Sequence, residues 1–129
     1  MPRSDTETRG IRVRVESAFE AGRSDAEHGA WFFSYKVRID NAGSETVQLL
    51  GRHWIITDAE GQIEEVRGPG VVGRQPVLEP GQSFEYTSGC PLGTPFGTMQ
   101  GTYQMVTRRG DRFDVEIGPF ALSLPFAIN

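Results

Sequence analysis

The residues best placed to do chemistry form one short run, Arg67-Gly68-Pro69-Gly70-Val71-Val72-Gly73-Arg74-Gln75. Its glycines match G-x-G-x-x-G, the spacing with which dinucleotide-binding folds bring backbone N–H groups against a pyrophosphate. That spacing works only where a strand feeds a helix, because the anion rests on the helix N-terminus. Residues 62–67 can supply the strand. No helix can follow, since residues 74–81 (RQPVLEPG) hold two prolines and a glycine, and an interior proline costs a helix about 3 kcal/mol. A dinucleotide site is therefore not expected. Two readings stay open: an anion nest of backbone N–H groups flanked by Arg67 and Arg74, or a strand crossover that needs unusual φ values. The candidate binding residues are Arg67, Gly68, Gly70, Gly73, Arg74 and Gln75.

The other reactive side chains form no constellation. His53 falls in an apolar run beside Trp54, where a backbone carbonyl is its expected partner. His28 falls in a polar loop and is expected in water. Neither histidine has a second at ligand spacing, so no zinc motif and no metal ligand set is expected. Glu64 and Glu65 point to opposite faces of a strand and cannot act as an acid–base pair. Cys90 has no base near it in sequence to make it a nucleophile. A non-enzymatic chain with no cofactor is expected.

These residues need elements to hold them, and the elements read as strands. Ile11, Val13 and Val15 alternate with Arg12, Arg14 and Glu16; Trp31, Phe33, Tyr35, Val37 and Ile39 alternate with more polar neighbours. Period-two alternation marks a strand with one face in a core. Further strands are expected over residues 47–50, 53–57, 62–67, 83–88, 102–107 and 112–117, with a short edge strand at 120–124. Turn residues punctuate the gaps: Asn41-Ala42-Gly43-Ser44, Asp58-Ala59-Glu60-Gly61, Arg108-Arg109-Gly110-Asp111, and Pro80-Gly81 suited to a type II turn. No stretch of a dozen residues carries a helical repeat. The expected fold is all-β, a two-sheet antiparallel sandwich. Residues 1–10 and 125–129 are expected as loose ends around a domain at 11–124. Trp31, Phe33, Tyr35, Val37, Trp54, Ile56, Tyr103 and Met105 are expected in its core.

Composition narrows the function classes. The 129 residues suffice for one self-standing core. A net charge of −4 gives no electrostatic case for nucleic acid or an anionic membrane. Twelve of the thirteen basic residues are Arg, a skew that a genome's composition explains as well as function does. The single Cys90 excludes an internal disulfide and fits a reducing cytoplasm. Residues 1–10 lack the apolar core of a signal peptide. The longest apolar run, Ala30-Trp31-Phe32-Phe33, is far short of the roughly 20 residues that span a bilayer.

Four blocks, in order between residues 48 and 105, resemble the ApaG family: Gln48-Leu49-Leu50-Gly51-Arg52-His53-Trp54-Ile55-Ile56-Thr57-Asp58; Arg67 through the glycines to Pro76; residues 78–90 (LEPGQSFEYTSGC); and Met99-Gln100-Gly101-Thr102-Tyr103-Gln104-Met105. The resemblance implies a fibronectin type III or immunoglobulin-like sandwich. It also implies an indirect link to cobalt and magnesium resistance or efflux. The family's domain occurs within F-box proteins and a DNA polymerase delta-interacting protein, which implies a protein partner. Its gene's frequent neighbour, a diadenosine tetraphosphatase gene, implies as the alternative a phosphate or nucleotide ligand at the glycine-rich loop.

Overall fold

The computed structural model describes residues 1–125. They form an immunoglobulin-like sandwich of two antiparallel sheets, and no α-helix occurs among them. Nine strands follow one another: β1 (Arg3–Thr8), β2 (Ile11–Phe19), β3 (Trp31–Asn41), β4 (Val47–Asp58), β5 (Ile63–Pro69), β6 (Val77–Leu78), β7 (Ser83–Leu92), β8 (Phe96–Thr107) and β9 (Arg112–Ser123). One sheet runs β1-β2-β3-β7. The other runs β5-β4-β8-β9, with β6 pairing β4 on the β5 side.

The alternation read from the sequence is the alternation of burial. Val13, Phe33, Val37 and Ile39 of the first sheet meet Leu49, Trp54, Tyr103, Met105, Val115 and Leu122 of the second, all nearly or wholly buried. Trp54 is central, its ring contacting Tyr35, Phe120 and Tyr103 at centroid distances of 5.3, 6.0 and 6.3 Å. Trp31, expected in the core, is only partly buried and packs against its margin. It opens β3 and pairs with Leu92 at the last position of β7, where the sheet ends.

Residues 1–10 were expected to hang loose, and that expectation is corrected: residues 3–8 form β1, paired in register with β2. No apolar stripe announces it, because cross-strand charges and threonine hydroxyls hold it instead. Arg12 grips Asp5 through two N–H groups at 2.9 and 2.6 Å, and Arg3 pairs with Glu16. On the other face Thr6 donates to the Glu116 carbonyl at 2.9 Å, and Thr8 accepts from the Glu116 N–H at 3.1 Å. Ser17 on β2 adds a 2.6 Å bond to the Ala121 carbonyl. These bonds seal the side of the sandwich where β9 lies over β1 and β2. Of the expected C-terminal tail, 125–129, residues 126–129 lie outside the described residues.

Two β-bulges join segments that read as separate strands. In β4 the register against β8 shifts between Leu49 and Gly51, so residues 47–50 and 53–57 belong to one strand. In β9 a shift past Ile117 brings Phe120 opposite Met99, so the segment at 120–124 continues β9 as far as Ser123. The first bulge has a large consequence for the site. A strict period of two from Val47 and Leu49 would point His53 inward. The extra residue reverses the parity, turning Arg52 and Trp54 inward and His53 outward.

Candidate functional site

At the side of the sandwich opposite β1 and β9, the edge of β7 and the edge formed by β4 and β5 leave a cleft. It holds about 370 Å³ and is lined by Tyr35, Arg52, Trp54, Pro69, Val71, Val72, Gly73, Tyr86 and Ser88. The glycine-rich loop forms one wall of it.

The loop is a hairpin. Val71 and Arg74 exchange both backbone hydrogen bonds, at 2.8 and 2.9 Å, around Val72 and Gly73. Both central residues have positive φ, +44° and +78°, which is the pattern of a type I′ turn. Gly70 also needs its positive φ of +61°, since a Cβ there would lie 2.3 Å from the Arg74 carbonyl oxygen. Strand β6 follows and no helix does. The Gly70 N–H goes to the Leu50 carbonyl at 2.9 Å. Three of the loop's N–H groups, those of Gly70, Val71 and Arg74, are therefore spent inside the protein and are not available to a nest.

Gln75 is part of the scaffold. Its amide donates to the Leu50 carbonyl at 2.8 Å, and its own carbonyl accepts from Gln48 at 3.1 Å. Gly68 is small for a different reason: a Cβ on it would lie 2.9 Å from the Arg52 guanidinium. Arg67 and Arg74 are exposed. Arg67 lies opposite His53 on the outer face of the sheet, 3.8 Å from Glu65, and Arg74 makes no ion pair among the described residues. The expected flanking arginines thus lie outside the cleft lining.

Arg52 is the cation that lines it, and sequence reasoning passed it over. Its Nη1 donates to the carbonyls of Pro69 and Gly70, at 2.9 and 3.0 Å, tying the loop down. Three tyrosines lie within reach of its charge. The Tyr86 and Tyr103 hydroxyls form a buried hydrogen bond. Burial pushes both phenols well above their ordinary pKa, and it raises Tyr35 too, against the opposing pull of the Ser88 hydroxyl. All three are neutral donors at physiological pH.

The remaining candidates lie apart. His53 is hydrogen bonded to the Glu65 carboxylate at 2.8 Å, which replaces the backbone partner expected for it. His28 is exposed against Asp25 at 2.6 Å. Cys90 is buried, and burial followed by the charge of Glu64 raises its thiol pKa to about 11. Among the described residues no three His, Cys, Asp or Glu side chains group as metal ligands, and no helix is long and apolar enough to cross a membrane.

A family model, the ApaG domain, matches residues 21–107. Protein ApaG of Beijerinckia indica is 55% identical over 122 residues, covering 95% of this chain and 94% of its own length. Protein ApaG of Rhodospirillum centenum is 56% identical over 118 residues, covering 92% and 91%. Among solved structures, one described as an ApaA protein from Bordetella pertussis superposes with a TM-score of 0.88 at 50% identity, covering 91% of this chain and 95% of that one. A protein from Archaeoglobus fulgidus, 8% identical with a TM-score of 0.53, shares the fold alone.

Proposed function

The chain belongs to the ApaG family, and from that premise we propose that it is a non-catalytic, cytoplasmic recognition module whose working surface is the loop face at residues 67–75. The observation that carries this reading is Val72. A β-branched residue at a φ of +44° is rare and costs on the order of 1–3 kcal/mol. The hairpin holds it there with its side chain 55% exposed at the rim of the cleft. Stability alone would favour Asn or Gly at that position. An apolar side chain held toward solvent at a conformational cost suits contact with a partner.

Chemistry supports the same reading. Catalysis by this chain would need a nucleophile or a tuned acid–base pair. Cys90 is buried as the neutral thiol, and the cleft tyrosines are protonated. A protein partner fits the exposed Val72 and the outward arginines. Under this reading the family's link to cobalt and magnesium resistance is indirect and runs through that partner.

The test is capture from the native cytoplasm with wild-type protein and with an Arg67→Ala/Arg74→Ala variant. The variant keeps its stability to within about 0.5 kcal/mol, as surface changes do, and loses the partner. A stability loss of several kcal/mol would place the arginines in a structural network. Undiminished capture would place the binding surface elsewhere.

A further inference from the structure

We propose that the cleft beneath the loop is an oxyanion site, taking the carboxylate or phosphate of a small ligand onto Arg52 and the Tyr86 hydroxyl. The inference rests on the loop face being the recognition surface, and it adds the chemistry of what enters there. The first ground is an uncompensated charge. On the outer face of the first sheet, Arg3, Arg12, Arg14, Lys36 and Arg38 each meet a carboxylate. Arg52 is half-buried and meets none among the described residues. The two loop carbonyls engage only its Nη1. A guanidinium carries five N–H donors, so Nη2 and Nε remain for a planar, two-oxygen acceptor. A half-buried cation without a counterion is costly, and an oxyanion relieves that cost.

The second ground is a proton. In the Tyr86–Tyr103 pair one hydroxyl donates to the other, and the acceptor's own hydrogen must then go elsewhere. Tyr103 is fully buried, with no other polar partner for its hydroxyl among the described residues. The satisfied arrangement has Tyr103 donating to Tyr86. Tyr86, which lines the cleft, is then left with its O–H free to donate into it. Arg52 and Tyr86 thus supply donors to the same cleft. Tyr35 and Trp54, both buried, close the cleft on the core side, and the volume suits a small ligand.

The test is a titration of the isotope-labelled whole chain with phenyl phosphate, benzoate and, as the neutral control, benzyl alcohol. Saturable shifts at the Arg52 Nε–H and at residues 72, 73 and 88, with both or either anion and not with the alcohol, support the site. The stronger anion separates phosphate from carboxylate. Arg52→Gln weakens binding at least tenfold, and Tyr86→Phe, which keeps the ring, weakens it severalfold. No saturable anion binding, equal response to the alcohol, or unchanged affinity in Arg52→Gln overturns the proposal. Should Arg52→Gln not fold, the wild-type shift map and Tyr86→Phe decide. These probes need no protein partner. Partner capture that persists without anion binding removes this site alone, and anion binding without a loop-dependent partner removes the wider reading.

Discussion

Asp40 shows how far a single charge can be pulled from its ordinary behaviour on the outer face of this sandwich. Burial would raise its pKa, but hydrogen bonds from Ser83, Arg14 and Arg38 outweigh that and hold it at about 2. A carboxylate whose folded pKa lies below its unfolded one stabilises the fold above the unfolded value, near 4. That stability is lost as pH falls through about 2. The group is mostly covered, so the contribution is on the order of 1–2 kcal/mol. Thermal melts between pH 6 and pH 2 check this: wild type loses stability across the window, and Asp40→Asn is flatter there, having lost the stabilisation already at pH 6. At the same scale, raising the Cys90 thiol from 9.0 to about 11 leaves about 100-fold less thiolate near pH 8. Native protein should therefore react with a thiol reagent at least that much more slowly than the chain in denaturant. Arg52 marks the limit of reading at this scale. Its residue type was visible in Gly51-Arg52-His53-Trp54, but its direction depends on the bulge that follows Leu49. No side-chain pattern in the sequence encodes that one-residue offset.

Strands announced themselves where one face is apolar. β2 and β3 were legible because their alternation is regular, and the two halves of β4 because they are largely apolar. β1 was not, because its inward face is built of Ser4, Thr6 and Thr8, and the two threonine hydroxyls bond to β9 instead of filling a core. β9 read as two pieces because its bulge surrounds Gly118 and Pro119, residues that ordinarily end a strand. The glycine run was legible as a loop with no helix after it, which is what the structure shows. Accordingly NAD and FAD should bind no more tightly than about millimolar, as calorimetry can establish. Sub-micromolar affinity abolished by Gly70→Ala would contradict the hairpin geometry. Burial also separates the two tryptophans. Trp54→Ala, at the centre of three aromatic contacts, should cost about 3–5 kcal/mol in denaturant unfolding, within the range for large core truncations. Trp31→Ala, at the sheet margin, should cost less than half of that.

Across the whole molecule the two sides of the sandwich are unequal, and that inequality organises the account. The side closed by β1, β2 and β9 is tied by threonine and serine hydroxyls. The side between β7 and the β4–β5 edge is left open, floored by tyrosines, held by Arg52 and rimmed by a hairpin that lifts Val72 into solvent. The sequence showed the loop and its outward arginines. The cleft was out of view because it exists only once Tyr35, Tyr86, Tyr103 and Arg52, spread over four strands, come together. Cobalt or magnesium at about 1 mM should leave the thermal midpoint unchanged, since a ligand that binds only the folded state raises it. The most direct measurement is the footprint of the captured partner on the isotope-labelled chain, read as chemical-shift changes along the backbone. The account predicts changes concentrated at residues 67–75 and at the cleft positions 35, 52, 86 and 88. Changes confined to the charged outer face of β1–β3 or to β9, with the loop untouched, would contradict it.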